Sequence, residues 1–450
     1  MDFTTPNKKI VLVIIILTSL FLRVYNLNYM EFKGDEAFSS FKALDFVDNG
    51  NFPLASSIGT TGIHEPPIFI YFLSIPYLFS RNPVIATGFI ALLNVLGIYL
   101  FYRFIKKTFN EETAVFASIF YAINPWQIVF SRKIWAQNLL ALLIIVFLFF
   151  LFNSIYKNKK SHIAYALLFL GILLQLHLSA VYFGLIALIM VIMHYKKIDK
   201  KYLLLGIALL FLTLLPYAIF QIKNDFVDAR VFLGTLKENF FHPEAFTIPL
   251  KMVSTQGFNS LLGESFPPFI VGFENAFILD YMAILLFLAS FVYLAATKHK
   301  FFVFWLVIGA SYLSLSKVPS IDTHYFTSLL PALFVVLGSG VYFLIKKSSG
   351  NKKYFVYAFL FMLIIYQFAF SFHLISFISK KECIGGDYGM PYQYRLNLIE
   401  NMIDRHNITN PTEQIEEINK KSCGCTKCDQ LAARFIIENM IDNPTAAVEE

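Results

Sequence analysis

The chain has 450 residues, of which 57% are hydrophobic and only 15% charged, with 51 Phe and a mean hydropathy of +0.61. That is far more apolar than a soluble globular domain and excludes a single-domain soluble enzyme. The formal charge of +7 is no sign of a nucleic-acid partner, because the lysines cluster at the ends of apolar runs, where they report membrane topology.

In chain order, apolar runs predict membrane-crossing helices at about 10–25, 84–104, 113–130, 138–156, 162–178, 180–195, 202–221, 276–297, 301–316, 327–346 and 354–378. This makes an all-α polytopic membrane protein with about 11 transmembrane helices. The first run follows Lys8-Lys9, and no small-residue cleavage site precedes the polar loop after it. We read it as a retained signal anchor, the alternative being a cleaved signal on a longer chain. The apolar segment from Ile68 to Phe79 is only about 12 residues long and is bracketed by prolines, so it is expected to be re-entrant or interfacial.

Charge parity supports this assignment. With Lys8-Lys9 inside, the clusters at Arg103/Lys106/Lys107, Lys157/Lys159/Lys160, Lys196/Lys197/Lys200/Lys201, Lys298/Lys300 and Lys346/Lys347/Lys352/Lys353 also fall inside. Counting 68–79 as a span would put every later cluster outside. The expected organisation is a transmembrane domain over 1–378, with large outer loops at 26–83 and 222–275, and a small extracytoplasmic tail at 379–450. The N-terminus is then cytoplasmic, and most polar chemistry other than lysine lies on the outer side, where it must line a cavity or pair with itself.

The first loop starts Glu31-Phe-Lys-Gly-Asp35-Glu36 and closes Ile63-His64-Glu65-Pro66-Pro67. Adjacent carboxylates on a helical turn point in different directions, so Asp35 can face a substrate while Glu36 is held by a neighbouring cation. A carboxylate beside an apolar wall suits general-base work, or it ligates a divalent metal ion; Asp35, His64 and Glu65 are the candidate ligands. Both motifs also have structural readings, as a solvated acidic pair and as a proline-started helix with a polar cap.

The second outer turn reads Ser131-Arg-Lys-Ile-Trp135-Ala-Gln137-Asn138, and a later one contains His324-Tyr325. Arg132 and Lys133 have the chemistry to bind a phosphate, or to snorkel at a headgroup boundary. His177 and His324 are packing residues singly and pocket-wall candidates together. Cys383, Cys423, Cys425 and Cys428 all fall in the expected outer tail, so disulfides are expected there, with metal binding the alternative. Asn407-Ile408-Thr409 is a glycosylation sequon.

Taken in order, the acidic dipeptide after the first span, the His-Glu-Pro-Pro stop, Asn124-Pro125-Trp126, the Ser131-Arg132 turn, Gln137-Asn138 and His324-Tyr325 with Pro331 resemble the lipid-phosphosugar-dependent glycosyltransferases of the protein O-mannosyltransferase and aminoarabinose transferase superfamily. The resemblance covers roughly 10–155 well and 317–335 loosely. It implies the C-type glycosyltransferase fold, a polyprenyl-phosphate-linked sugar donor, and an acceptor protein, lipid or glycan on the extracytoplasmic face. It puts the catalytic carboxylate on Asp35 and the donor phosphate on Arg132 and Lys133. Glu36, His64, Glu65, Gln137, Asn138, His324 and Tyr325 are then expected to shape the sugar and acceptor pocket. Many relatives carry a second acid in the second turn; here it is absent, and neither Gln137 nor Asn138 can act as a base. The competing reading is a transporter or flippase of lipid-linked sugars, which would be expected to show inverted repeats or charged midplane helices.

Overall fold

The computed structural model describes residues 8–59, 61–235, 240–263, 277–318, 320–406 and 426–441. Among them the regular structure is helical, with only isolated β-bridges besides. Helix α1 (Lys8–Val24) leads into the first loop, which is itself helical: α2 (Gly34–Asn49) and α3 (Ile68–Tyr77) lie within it. Ten residues rise about 15 Å, so α3 is too short to cross a bilayer.

The core follows in hairpin order. It comprises α4 (Pro83–Thr108), α5 (Glu111–Ile123), α6 (Pro125–Ser131), α7 (Leu140–Lys157), α8 (His162–Leu174), α9 (Tyr182–Met193) and α10 (Lys200–Lys223). Between α10 and α14 lie α11 (Val227–Thr235) and the short α12 (Ile248–Met252) and α13 (Asn259–Leu262). The chain then runs through α14 (Phe277–Ala295), α15 (Phe301–Ser314), α16 (Leu330–Lys347) and α17 (Asn351–Lys380), and ends with α18 (Tyr392–His406) and α19 (Thr426–Ile436).

Six of these helices are long and apolar enough to span a membrane, and α5 with α6 forms a seventh if the bent pair counts as one. The protein is an integral membrane protein. The expected single helix over 113–130 is broken: α5 and α6 meet at 60°. Pro125 cannot continue a helix but suits its first position, and Asn124 caps α6 by accepting the Gln127 N–H at 3.1 Å. This break turns the 131–138 segment inward beneath the first loop.

Helix α16 is the buried centre. Its backbone comes close to α5 at Gly338, where a Cβ would lie 2.7 Å from Ala117. Small residues permit this approach, and dispersion between the two surfaces holds it in the absence of a hydrophobic drive within lipid. In contrast, α10 buries only Gly206 and presents Leu204, Phe211 and Leu212 outward. These exposed apolar side chains are the lipid-facing wall.

The expected small tail from about 379 packs onto the first loop. Glu31 and Pro391 form an antiparallel bridge, and Tyr392 N–H donates to Met30 O at 2.9 Å. Phe435 of α19 packs edge-on to Phe32 and Phe41, at 5.3 and 5.0 Å between ring centroids. Cys383 is disulfide-bonded. Cys423, Cys425, the Cys428 side chain and the Asn407 sequon lie outside the described residues.

Candidate active site

The site begins with the start of α2. Glu36, at the third helical position, reaches back and accepts the Lys33 backbone N–H at 2.8 Å, fixing where the helix begins. One residue earlier, Asp35 points the other way. It is exposed and makes no ion pair or hydrogen bond among the described residues. Two adjacent carboxylates therefore have opposite environments.

Beneath α2 lies a buried ion network. Lys133 Nζ is 2.7 Å from Glu31 Oε1 and 3.3 Å from Glu36 Oε1, and Lys33 Nζ is also 2.7 Å from Glu31 Oε1. Lys33 additionally donates to the Asp387 carbonyl of the tail. The formal charges cancel, which is what makes such burial tolerable. Burial pushes the Glu36 carboxyl up from its ordinary range; Lys133 opposes this, while Glu31 and Asp35 reinforce it. For Lys33, burial works against the charge, but Glu31, Glu36 and Asp387 outweigh it and hold the ammonium above the usual lysine range. Tyr388 closes the network from the tail, donating to Tyr29 O at 2.8 Å and lining a small cavity with Glu31, Val129, Arg132 and Lys133.

Arg132 lines this cavity but spends its guanidinium on the backbone. Its guanidinium donates to the carbonyls of Arg23, Tyr25 and Asn26 at 3.1, 2.7 and 2.9 Å, capping the C-terminal end of α1. The role expected from sequence was a phosphate contact; the structure commits these donors to orphan helix carbonyls. Asn138 is similarly occupied, donating to Lys133 O at 2.8 Å and so stapling the turn that presents Lys133. Gln137 is buried beside it. Glu36 too belongs to the scaffold under α2.

An aromatic wall continues from Lys133. Its ammonium sits 3.1 Å from the Trp135 ring centroid, a cation–π contact, and Trp135 meets His324 at 5.1 Å. His324 lies against Tyr325 and His177, with centroids 4.3 and 6.0 Å away. Burial lowers both imidazoles, His177 to about 4 and His324 well below its ordinary value, the latter helped by His177 and Lys133. Both are neutral near pH 7. His177 Nδ1 accepts the Ser179 N–H at 3.1 Å, which assigns the ring proton to Nε2.

The loop's closing motif divides. His64 turns toward α11, where Nδ1 donates to Asp228 Oδ1 at 2.8 Å and the His64 backbone N–H reaches the same oxygen at 3.0 Å. Tyr217 donates to Asp228 Oδ2 at 2.8 Å, and Gln221 binds the same oxygen. Burial pushes the Asp228 carboxyl up, but these hydrogen bonds prevail and hold it below its usual range. Glu65 stays with the first loop, accepting from Ser57 Oγ at 3.3 Å. Burial raises it to about 7; the Ser57 hydrogen bond opposes this and the nearby Asp35 charge adds to it.

Asp35, His64 and Glu65 therefore do not converge as a metal cage. Among the described residues no three His, Cys, Asp or Glu side chains form a group able to hold a metal ion. Sequence reasoning assigned no role to Glu31, Lys33, Tyr217, Asp228 or Tyr388. Glu31 and Lys33 had a signal, since three acids and one lysine within six residues beside a membrane require cationic partners. Asp228 and Tyr388 had none, as they arrive through long-range packing.

A family profile described as dolichyl-phosphate-mannose-protein mannosyltransferase matches residues 64–220. ArnT from Cupriavidus metallidurans in the apo state superposes with a TM-score of 0.60 at 12% identity, over 96% of this chain and 88% of that one. The chain has the C-type glycosyltransferase fold. ArnT bound to undecaprenyl phosphate gives a TM-score of 0.57, at 12% identity and with the same coverage, 96% and 88%. The oligosaccharyltransferase of Archaeoglobus fulgidus, tethered to an acceptor peptide containing an NVT sequon, gives 0.52 at 14% identity, over 92% of this chain and 59% of that one. No curated protein matches the sequence. Within the C-type fold, the ion network, the aromatic wall and Asp35 all lie where the first loop meets the 131–138 turn.

Proposed function

We infer that the protein transfers a sugar from a polyprenyl-phosphate carrier to an acceptor on the extracytoplasmic face, with inversion at the anomeric carbon. The observation that carries this reading is the contrast within one turn of α2: Glu36 is locked to Lys133, while Asp35 is exposed and unpaired. Related folds support the substrate class, since the ArnT structure is bound to undecaprenyl phosphate and the oligosaccharyltransferase holds an acceptor peptide.

In the reaction, an acceptor hydroxyl or amine attacks the anomeric carbon while Asp35 takes its proton. The bond from the sugar to the carrier phosphate breaks, and the electron pair leaves with the phosphate. Displacement by a bound acceptor inverts the centre, and positioning supplies much of the acceleration. Lys133 and Lys33, their charges balanced by Glu31 and Glu36, offer ammonium N–H donors to the departing phosphate, worth about 3 kcal/mol for a well-placed group. Arg132 contributes by holding α1 and the turn that carries Lys133. The neutral His324, Tyr325 and Trp135 wall offers apolar ring faces and ring N–H groups to a sugar.

The test is incubation of purified protein with labelled polyprenyl-phosphate sugars, wild type against Asp35→Asn. Asp35→Asn is expected to lower transfer by about 10²–10⁴-fold without changing thermal stability. Equal turnover would remove the mechanism, and carrier translocation without transfer would establish a flippase instead.

A further inference from the structure

At the other end of the bundle from Asp35 lies an open cavity of about 520 Å³ that the transfer reaction does not use. Helix α7 starts beside Lys133 and ends at Lys157; its 18 residues carry the chain about 27 Å to this opposite end. The cavity lies between the α7–α8 turn and the α9–α10 turn. It is lined by Tyr156, Asn158, Lys160, Lys196, Lys197 and Asp199, with Ile155 and Ile198 completing its wall. Asp199 is 3.5 Å from Lys160 and offsets one of the three cations, leaving a net charge of about two.

The surface leading to this cavity is apolar and outward-facing. Ile192 and Met193, at the end of α9, are 61% and 69% exposed, and α10 buries a single residue. Lysines at the end of a lipid-facing wall set a phosphate and acyl chains side by side, the arrangement in which basic pockets hold acidic headgroups. We propose that this cavity is a binding site for a phosphate-bearing anionic lipid, its headgroup on Lys160, Lys196 and Lys197 and its chains along α9 and α10. Free inorganic phosphate shares the headgroup chemistry but would gain nothing from the apolar wall.

The test uses the full-length protein, delipidated and returned to phosphatidylcholine with or without phosphatidylglycerol, with retained lipid counted by native mass spectrometry. Each unpaired lysine is worth about fivefold in retention, so the wild type is expected to prefer phosphatidylglycerol by about 25-fold. K160Q/K196Q/K197Q is expected to abolish the preference. The charge-matched K157Q/K159Q/K200Q, altering neighbouring lysines that do not line the cavity, is expected to retain it. Raising salt from 0.1 to 0.5 M on the unmutated protein is expected to weaken the preference, a readout independent of any variant's folding. Equal retention of both lipids overturns the proposal. So does equal loss in the two variants, which would mean bulk charge alone, and so does displacement by inorganic phosphate at the lipid's concentration.

Discussion

Replacing Lys133 by Met tests whether the ion network holds α2 in place. Lys133 touches Glu31 and Glu36 at 2.7 and 3.3 Å, and both carboxylates are at most 2% exposed. Glu31 keeps Lys33 at 2.7 Å, so the orphaned charge is Glu36, left with only the Lys33 backbone N–H. Removing one partner of a buried pair costs about 3–5 kcal/mol. Lys133 is the main influence opposing the burial that raises the Glu36 carboxyl, so without it Glu36 binds a proton more tightly still in the folded state. The folded variant then holds more protons than the unfolded chain, and its stability falls as pH rises. Lys133→Met should therefore lower the thermal midpoint in detergent at pH 7.5 and recover toward pH 5. Adding Glu36→Gln should restore stability at every pH, because glutamine keeps the capping acceptor and removes the unpaired charge. A Lys133→Met midpoint that is flat from pH 5 to 8, or a double variant no better than the single, would refute the network as drawn.

Glu65, raised to about 7 by burial and by Asp35 against the Ser57 hydrogen bond, gives the wild type a similar slope. Stability is expected to decline between about pH 4.5 and 7 by up to about 1.4 kcal/mol per pH unit, and Glu65→Gln should flatten that part of the thermal-midpoint curve. Asp228→Ala leaves His64, Tyr217 and Gln221 without their shared acceptor, costing about 1–3 kcal/mol. Faster hydrogen exchange confined to α11 and the 63–65 backbone would report it, while unchanged exchange would show the Asp228 contacts to be dispensable. Gly338→Ala sets a methyl 2.7 Å from Ala117 and should destabilise the α5–α16 contact by about 1–3 kcal/mol in thermal unfolding, with no change in the donor's KM.

Much of the fold was legible because lipid imposes one rule on every crossing helix. Apolar runs had to be helices, and each expected segment coincides with one, but among the described residues only six, or seven with the bent pair, are long and apolar enough to cross, against about 11 expected; those over 162–178, 180–195 and 301–316 are shorter. The exception is the break at Asn124-Pro125, where hydropathy is continuous and only the cap chemistry marks the end. The site was legible by residue type more than by partner. Asp35-Glu36 declares two acids, yet nothing local says that Glu36 meets Lys133 nearly a hundred positions on, or that Tyr388 closes over the pair. Arg132 shows the difficulty most clearly: a guanidinium fork fits a phosphate and a helix terminus equally well, and only the end of α1 beside it assigns the donors.

The absence of a second acid in the 131–138 turn acquires a physical reason from this arrangement. That turn already faces Glu31 and Glu36, both buried, and answers them with the single ammonium of Lys133. A further carboxylate there would leave the network negative and force one group to protonate. Lys133 in the turn and Lys33 in the loop thus balance the two acids and complete one neutral unit. Asp35 stands outside that unit, one residue beyond the group that fixes the helix start, and it is the carboxylate left over once the pairing is complete.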